Sequence, residues 1–248
     1  MLCNRNMTRP ECNDCPAVHL SICSHLDRTA IEEFRSLGAG LCFPAGTIVF
    51  DQSEELDHLF IITRGITRLS HLTRDGRRQI IGFLGPGDLL GGIKRSAGAY
   101  CSAETMTALE ACAFDRKTFS KFLHQHADLC FSLLVVANDE IEAQYDHSVL
   151  LARKKASERI AAFLMMLAQR WRVSDEDPNT LHIPMSRSDI ADYLGLTIET
   201  VSSILTRFKN RGDIEFRGPK TVILKNTAAL TYLAGLEDQP KPRMVIGL

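Results

Sequence analysis

No apolar run in this 248-residue chain is long enough to cross a bilayer; LLVVA and AAFLMMLA fall far short of the roughly 20 residues a spanning helix needs. The N-terminus lacks the continuous apolar core of a signal peptide, so the protein is expected to stay in the cytoplasm, with no membrane among its partners. Neither a glycine-rich phosphate loop nor a catalytic-triad pattern occurs, which argues against an enzyme. Net charge is almost absent: 29 Lys and Arg against 30 Asp and Glu leave −1, so attraction to a polyanion must come from a local patch. Gly and Pro show no excess, internal repeats are missing, and the only low-complexity hint is EDQPKPR near the C-terminus.

What is present suffices for two domains, each with its own core: 45% of residues are apolar and 24% charged. Eight cysteines in a cytosolic chain argue for metal or redox chemistry over a disulfide framework.

The segment Ile183–Phe216 carries the clearest pattern. Ser186, with Asp189 three residues on, forms a capping box for a short helix whose apolar face is Ile190, Ala191 and Leu194. Gly195 interrupts it, Leu196 staples the turn, and Thr197 caps a second helix. There Ile198, Val201, Ile204, Leu205 and Phe208 recur at helical spacing and are expected to face inward. The opposite face offers Glu199, Ser202, Ser203, Thr206 and Arg207, groups that bond base edges and phosphates. Two short helices joined by a tight turn make a helix-turn-helix. Gly212 ends the second helix, and IEFR, a Gly218–Pro219 turn and TVILK read as a β-hairpin. Arg207, Lys209, Arg211, Arg217, Lys220 and Lys225 outnumber Asp213 and Glu215 here, a local excess that suits a phosphate backbone. Candidate DNA contacts are Thr197, Glu199, Ser202, Ser203, Arg207 and Lys209, on double-stranded DNA.

At the other end, Cys12, Cys15 and Cys23 stand as C-x2-C-x7-C, with Cys3 upstream. Three thiolates are one short of a four-thiolate shell for an iron–sulfur cluster or zinc. A mononuclear zinc completed by His19 or His25 is one alternative; surface cysteines on a disordered arm are another.

From Cys42 to about Phe119 the chain reads as short strands and frequent turns (GTIVFDQ, HLFIITRGITRLSHL, QIIGFLGPGD, MTALEACAF), which implies a β-roll or jelly roll. From about Ala127 a narrow stripe of Leu134, Ala137 (or Asn138), Ile141, Tyr145 and Ser148 follows at three- and four-residue spacing, the seam of a two-helix pair. ARKKASERIAAFLMMLAQRW then gives the first helix of the DNA-binding domain, with a linker near Ala152–Lys155. The fold class expected is α+β: an N-terminal β-roll, a long dimerisation helix and a C-terminal winged helix-turn-helix. The expected divisions are a cysteine-rich arm at 1–31, the roll at 32–126, the long helix at 127–153, the DNA-binding domain at 154–234 and a loose tail at 235–248.

Together the cysteine arm, the roll and the helix-turn-helix resemble the FNR (fumarate and nitrate reduction regulator) branch of the CRP/FNR transcription factors, over roughly residues 10–235. The C-x2-C-x7-C spacing is similar to that of its alphaproteobacterial-type members. The resemblance implies an oxygen-labile [4Fe–4S] cluster on three N-terminal cysteines and one central cysteine. The intact cluster would favour a homodimer that binds palindromic DNA and activates transcription with RNA polymerase at low oxygen. Cys12, Cys15 and Cys23 are then ligands; Cys112, at the family's position, is the expected fourth and Cys101 its competitor. Cys42 and Cys130 are expected in the core, and Cys3 has no assigned counterpart. The roll resembles the cyclic-nucleotide-binding domain, but Gly92 and Cys101 stand where cAMP-binding members carry Glu and Arg, so the roll is expected to be a scaffold. A zinc or thiol switch of the same fold, or a small-ligand receptor using the roll pocket, are the rival readings. Gln144 occupies the place of the family's seam Asp, leaving Asp139, Glu140, Glu142 and Asp146 to make the dimer marginal. On the recognition helix the family's Glu and Ser correspond to Glu199 and Ser202, and its Arg to Ser203.

Overall fold

The computed structural model describes residues 12–92, 98–171, 179–236 and 246–247; Cys3 and most of the expected tail lie outside the described residues. The chain divides into two compact units, residues 1–141 with 243–248, and residues 142–242.

The first unit is the roll. Helix α1 (Arg28–Leu37) leads into strands β1 (Gly38–Phe43), β2 (Ile48–Phe50), β3 (His58–Arg64), β4 (Thr67–Leu72), β5 (Arg78–Leu84), β6 (Leu89–Leu90), β7 (Ser102–Thr105) and β8 (Leu109–Asp115). They form two sheets, β1-β8-β3-β6 and β2-β7-β4-β5, and a short C-terminal strand β12 (Ile246–Gly247) adds parallel to β6. The β3–β4 turn depends on Gly65: its φ is +90°, and a Cβ there would lie 2.2 Å from the Ala108 carbonyl oxygen.

Period-two alternation on β3 and β8 gives the roll two cores. Phe60, Ile62, Leu109, Ala111 and Ala113 face inward with Phe43, Leu69, Leu84 and Cys101. Leu59, Ile61, Cys112 and Phe114 face outward, where α1, α2 (Arg116–Gln125) and the first turns of α3 (Ala127–Arg153) cover them with Phe34, Phe119, Phe122, Leu129 and Leu133. Phe34 stacks on Phe114 with ring centroids 4.3 Å apart, so aromatic packing seats α1 on the sheet.

The second unit holds the end of α3, α4 (Ala156–Arg170), β9 (Thr180–His182), α5 (Arg187–Leu194), α6 (Ile198–Asn210), β10 (Ile214–Phe216), β11 (Thr221–Leu224) and α7 (Thr227–Ala234). Ile160, Ala161, Phe163, Leu164 and Leu167 of α4 are buried, as are Ile190, Leu194, Val201, Leu205 and Phe208 of the two helices after it. The hairpin β10–β11 forms as expected, and β9 adds a third strand through Thr221↔His182. Three residues hemmed by turn signals are too few to show alternation, so β9 left no mark in the sequence.

The long helix breaks at Lys154–Lys155, where the linker is expected, but the compact division falls earlier, after Ile141. The last turns of α3 pack within the second unit: His147 stacks on Tyr193 of α5 at 4.4 Å.

Candidate metal centre and nucleic-acid interface

A short 3-10 turn, Cys12–Asp14, and a second, Ile22–His25, bend the N-terminal arm across the outer face of the roll. Ala17 and Ile22 anchor it, each almost fully buried. Ser21 caps the second turn: its Oγ accepts from the Cys23 N–H at 3.2 Å. The GPGD turn of the roll meets the arm backbone directly. Gly87, at φ +95°, would place a Cβ 2.5 Å from the Leu20 carbonyl oxygen, so any side chain there would push the arm away.

This path brings Cys12, Cys15 and Cys23 to one small, partly open cleft with Cys112, beside Ser21, Ile61, Thr63 and Phe114. Cys112 reaches it because it lies on the outward register of β8, opposite Gly40 and Ile61. Cys101 is packed in the inner core, on the other side of that sheet, and does not reach the cleft. His19 and His25 are exposed and do not line it either. Two expectations are corrected. Cys130 is exposed on α3 instead of lying in the core, and Cys42 is half-buried on β1.

Burial pushes the Cys23 thiol up to about 11; the Ser21 hydroxyl opposes this, and Cys112, Cys12 and Cys15 add to it. Cys112, Cys12 and Cys15 are therefore each within electrostatic reach of Cys23, which stays protonated at neutral pH unless a cation offsets the charge. Among the described residues no three His, Cys, Asp or Glu side chains converge on one metal ion.

On α3 the expected seam is largely solvent-facing. Leu134 is 68% exposed, Tyr145 66% and Ile141 47%. Gln144 and Ser148 are exposed, the Ser148 hydroxyl donating to the Gln144 carbonyl at 2.8 Å. Ala137 is half-buried against the outer core, and Asn138, the alternative at that step, is exposed on the stripe. Phe131 was missed, although at 69% exposed it extends the stripe by one step. Its signal was the three-and-four spacing 131, 134, 138, 141, 145, 148. Of the four acids, Glu140 is buried and Asp139 half-buried, so Glu142 and Asp146 are the exposed pair.

The helix-turn-helix forms with its caps. Ser186 Oγ accepts from the Asp189 N–H at 3.0 Å, and Asp189 accepts from the Ser186 N–H at 2.9 Å. Thr197 Oγ1 accepts from the Thr200 N–H at 3.2 Å, so this hydroxyl is partly committed to capping α6. Glu199, Ser203, Thr206, Arg207 and Lys209 are exposed along α6, with Ser202 half-buried beside them. Ile198 is corrected: it is 47% exposed, because it sits in the first turn ahead of the buried Val201. Backbone N–H donation within the turn, then the Thr197 hydroxyl, hold the Glu199 carboxyl below its usual range, so it is ionised and acceptor-only at neutral pH. Arg211 pairs with Asp213 at 3.1 Å and Lys225 with Glu215 at 3.7 Å. Arg207, Lys209, Arg217 and Lys220 are exposed on α6 and the wing, a basic surface around the reading helix.

Comparison with known proteins agrees with both halves. A Crp-like helix-turn-helix domain matches residues 158–233 and a cyclic nucleotide-binding domain matches residues 41–126. The nitrogen fixation regulation protein FixK of Bradyrhizobium diazoefficiens is 38% identical over 203 residues, covering 82% of this chain and 85% of that protein. The transcriptional activator protein FnrL of Cereibacter sphaeroides is 33% identical over 228 residues, covering 90% and 92%. The chain belongs to the CRP/FNR family of transcription regulators. The structure of FixK2 from Bradyrhizobium japonicum superposes with a TM-score of 0.73 at 30% identity, covering 79% of this chain and 96% of that one.

As a CRP/FNR regulator the protein binds DNA and is not an enzyme. Cys101, expected at the place of the phosphate-gripping arginine, is buried in the inner core of the cyclic nucleotide-binding domain and offers no guanidinium fork. On α6 the exposed Ser203 stands where the resemblance leads to the expectation of an arginine. Arg offers guanine O6 and N7 a bidentate fork worth roughly 1–3 kcal/mol of discrimination, and serine is too short to reproduce it. Selection from randomised duplexes should therefore return weaker guanine preference for the wild type than for Ser203→Arg. Equal strictness in both would show that Ser203 does not set that preference.

Proposed function

We propose that this regulator is an oxygen-responsive activator of the FNR type, in which Cys12, Cys15, Cys23 and Cys112 hold a [4Fe–4S] cluster. The observation that carries the reading is the gathering of these four thiols, from two separated stretches of chain, around one cleft that excludes the other described cysteines. When bound, such a cluster supplies a positive centre that keeps the thiolates deprotonated and whose integrity depends on oxygen.

The chain's own residues do the rest. The outer core ties the cleft to α3, because Ile22, Cys23 and Cys112 pack in one cluster with Leu129, Leu133 and Val136. An arm held tightly at the cleft thereby steadies the first turns of α3. The exposed stripe from Phe131 to Ser148 pairs with its copy, with Glu142 and Asp146 opposing the pairing so that it can be switched. The homodimer then presents two copies of α6 to a palindrome with half-sites about 34 Å apart. RNA polymerase is the partner through which activation acts, and the cytoplasm is the compartment.

The deciding experiment is purification under strict anaerobiosis with iron and acid-labile sulfide analysis. Four iron and four sulfide per chain, lost with bleaching in air, are expected for a [4Fe–4S] centre. Zinc without sulfide would replace the reading by the zinc-switch alternative.

A further inference from the structure

The second unit contains a junction that neither thiol chemistry nor base contact explains. Arg159 lies on α4, one position before the fully buried Ile160, and its half-buried guanidinium turns away from that core. Its Nη2 donates to the Leu151 carbonyl at 2.7 Å and its Nε to the Lys154 carbonyl at 3.0 Å, both at the C-terminal end of α3. Its Nη1 donates to the Leu194 carbonyl at 2.9 Å and approaches the Gly195 carbonyl at 3.4 Å, at the C-terminal end of α5. Lys154 Nζ donates in turn to the Ala234 carbonyl, where α7 ends. Three helix C-termini, each carrying partial negative charge and unmade carbonyl bonds, thus meet two cations. The His147–Tyr193 stack fastens α3 to α5 a little further along.

We infer that Arg159 is the positioning residue that fixes the helix-turn-helix to the end of α3, so that the spacing of two paired α3 helices sets the spacing of two α6 helices on DNA. This rests on the dimeric reading above. The geometry is specific to a guanidinium: one planar fork bridges the last turn of α3 and the turn between α5 and α6. Leu194 and Gly195 belong to the turn that leads directly into the Thr197 cap, so moving them re-aims α6. An ammonium would satisfy the dipoles without bridging both ends.

The test uses the full-length anaerobic protein and the duplex it selects, in its natural half-site spacing and with one base pair inserted. The insertion turns one half-site by about 34–36°. Wild type should bind the displaced duplex at least about tenfold more weakly. In Arg159→Gln this discrimination should fall by about tenfold, the scale of losing charge-assisted hydrogen bonds, while iron content and dimer mass stay as in wild type. Arg159→Lys should keep the wild-type melting temperature and still lose spacing strictness, which a purely structural role would not produce. A strict wild type with equally strict Arg159→Gln or Arg159→Lys overturns the inference alone. A wild type that is monomeric or indifferent to spacing removes the dimeric reading, and this inference with it.

Discussion

Replacing Cys112 by serine is expected to give a colourless protein from anaerobic cells, with the iron and sulfide of the wild type gone. A serine oxygen is a harder and far less acidic ligand than a thiolate, and three remaining thiolates leave one iron of a four-iron centre open. Cys12→Ser, Cys15→Ser and Cys23→Ser should do the same, since each lines the same cleft. The informative control is Cys101→Ser. Cys101 is 2% exposed in the inner core, so a buried hydroxyl there should cost about 1–3 kcal/mol of stability. The chromophore should nevertheless survive, because the sheet separates this residue from the cleft. Cys130→Ser, at an exposed site, should change neither property. The assignment fails if the colour follows Cys101 and not Cys112. Absorbance near the cluster band, with iron analysis on the same samples, reads both outcomes.

The choice between those two cysteines shows where sequence and structure divide. Both stand in strand-like segments of similar apolarity, and free cysteine is commonly buried, so composition does not separate them. Register does: Ala111 and Ala113 enter the inner core, which turns Cys112 outward. A sequence shows alternation, but which face an arm of some thirty residues will cover is a tertiary fact. The helix-turn-helix was legible almost residue by residue because capping, periodicity and a left-handed glycine are local. Gly195 at φ +61° and the reciprocal Ser186–Asp189 cap are where the pattern puts them. Ile198 deviates because a first-turn residue has no preceding turn to pack under. Arg159 was unreadable in advance, since nothing in an amphipathic helix marks which arginine meets the carbonyls of two other helices.

Leu134→Glu is expected to convert the anaerobic dimer to monomer at micromolar concentrations. In the protomer Leu134 is 68% exposed beside Phe131 at 69%, so the substitution removes nothing from either core and the melting temperature of the isolated chain should hold. In a two-fold seam each change acts twice. Losing burial of one leucine costs about 2 kcal/mol per side, hence about 4 kcal/mol per dimer, roughly a thousandfold in dissociation constant. A carboxylate placed between Phe131 and Asn138 adds its own desolvation and meets its copy across the axis. DNA affinity should fall with the dimer, because one α6 alone reads only half a palindrome. Gln144, exposed on the edge of the same stripe, is expected to tune the pairing. Gln144→Asp adds a third exposed acid to Glu142 and Asp146 and should raise the dissociation constant without abolishing pairing. Sedimentation of the three proteins, cluster-loaded and after exposure to air, orders them. If Leu134→Glu remains fully dimeric, the pairing surface lies elsewhere than on this face of α3.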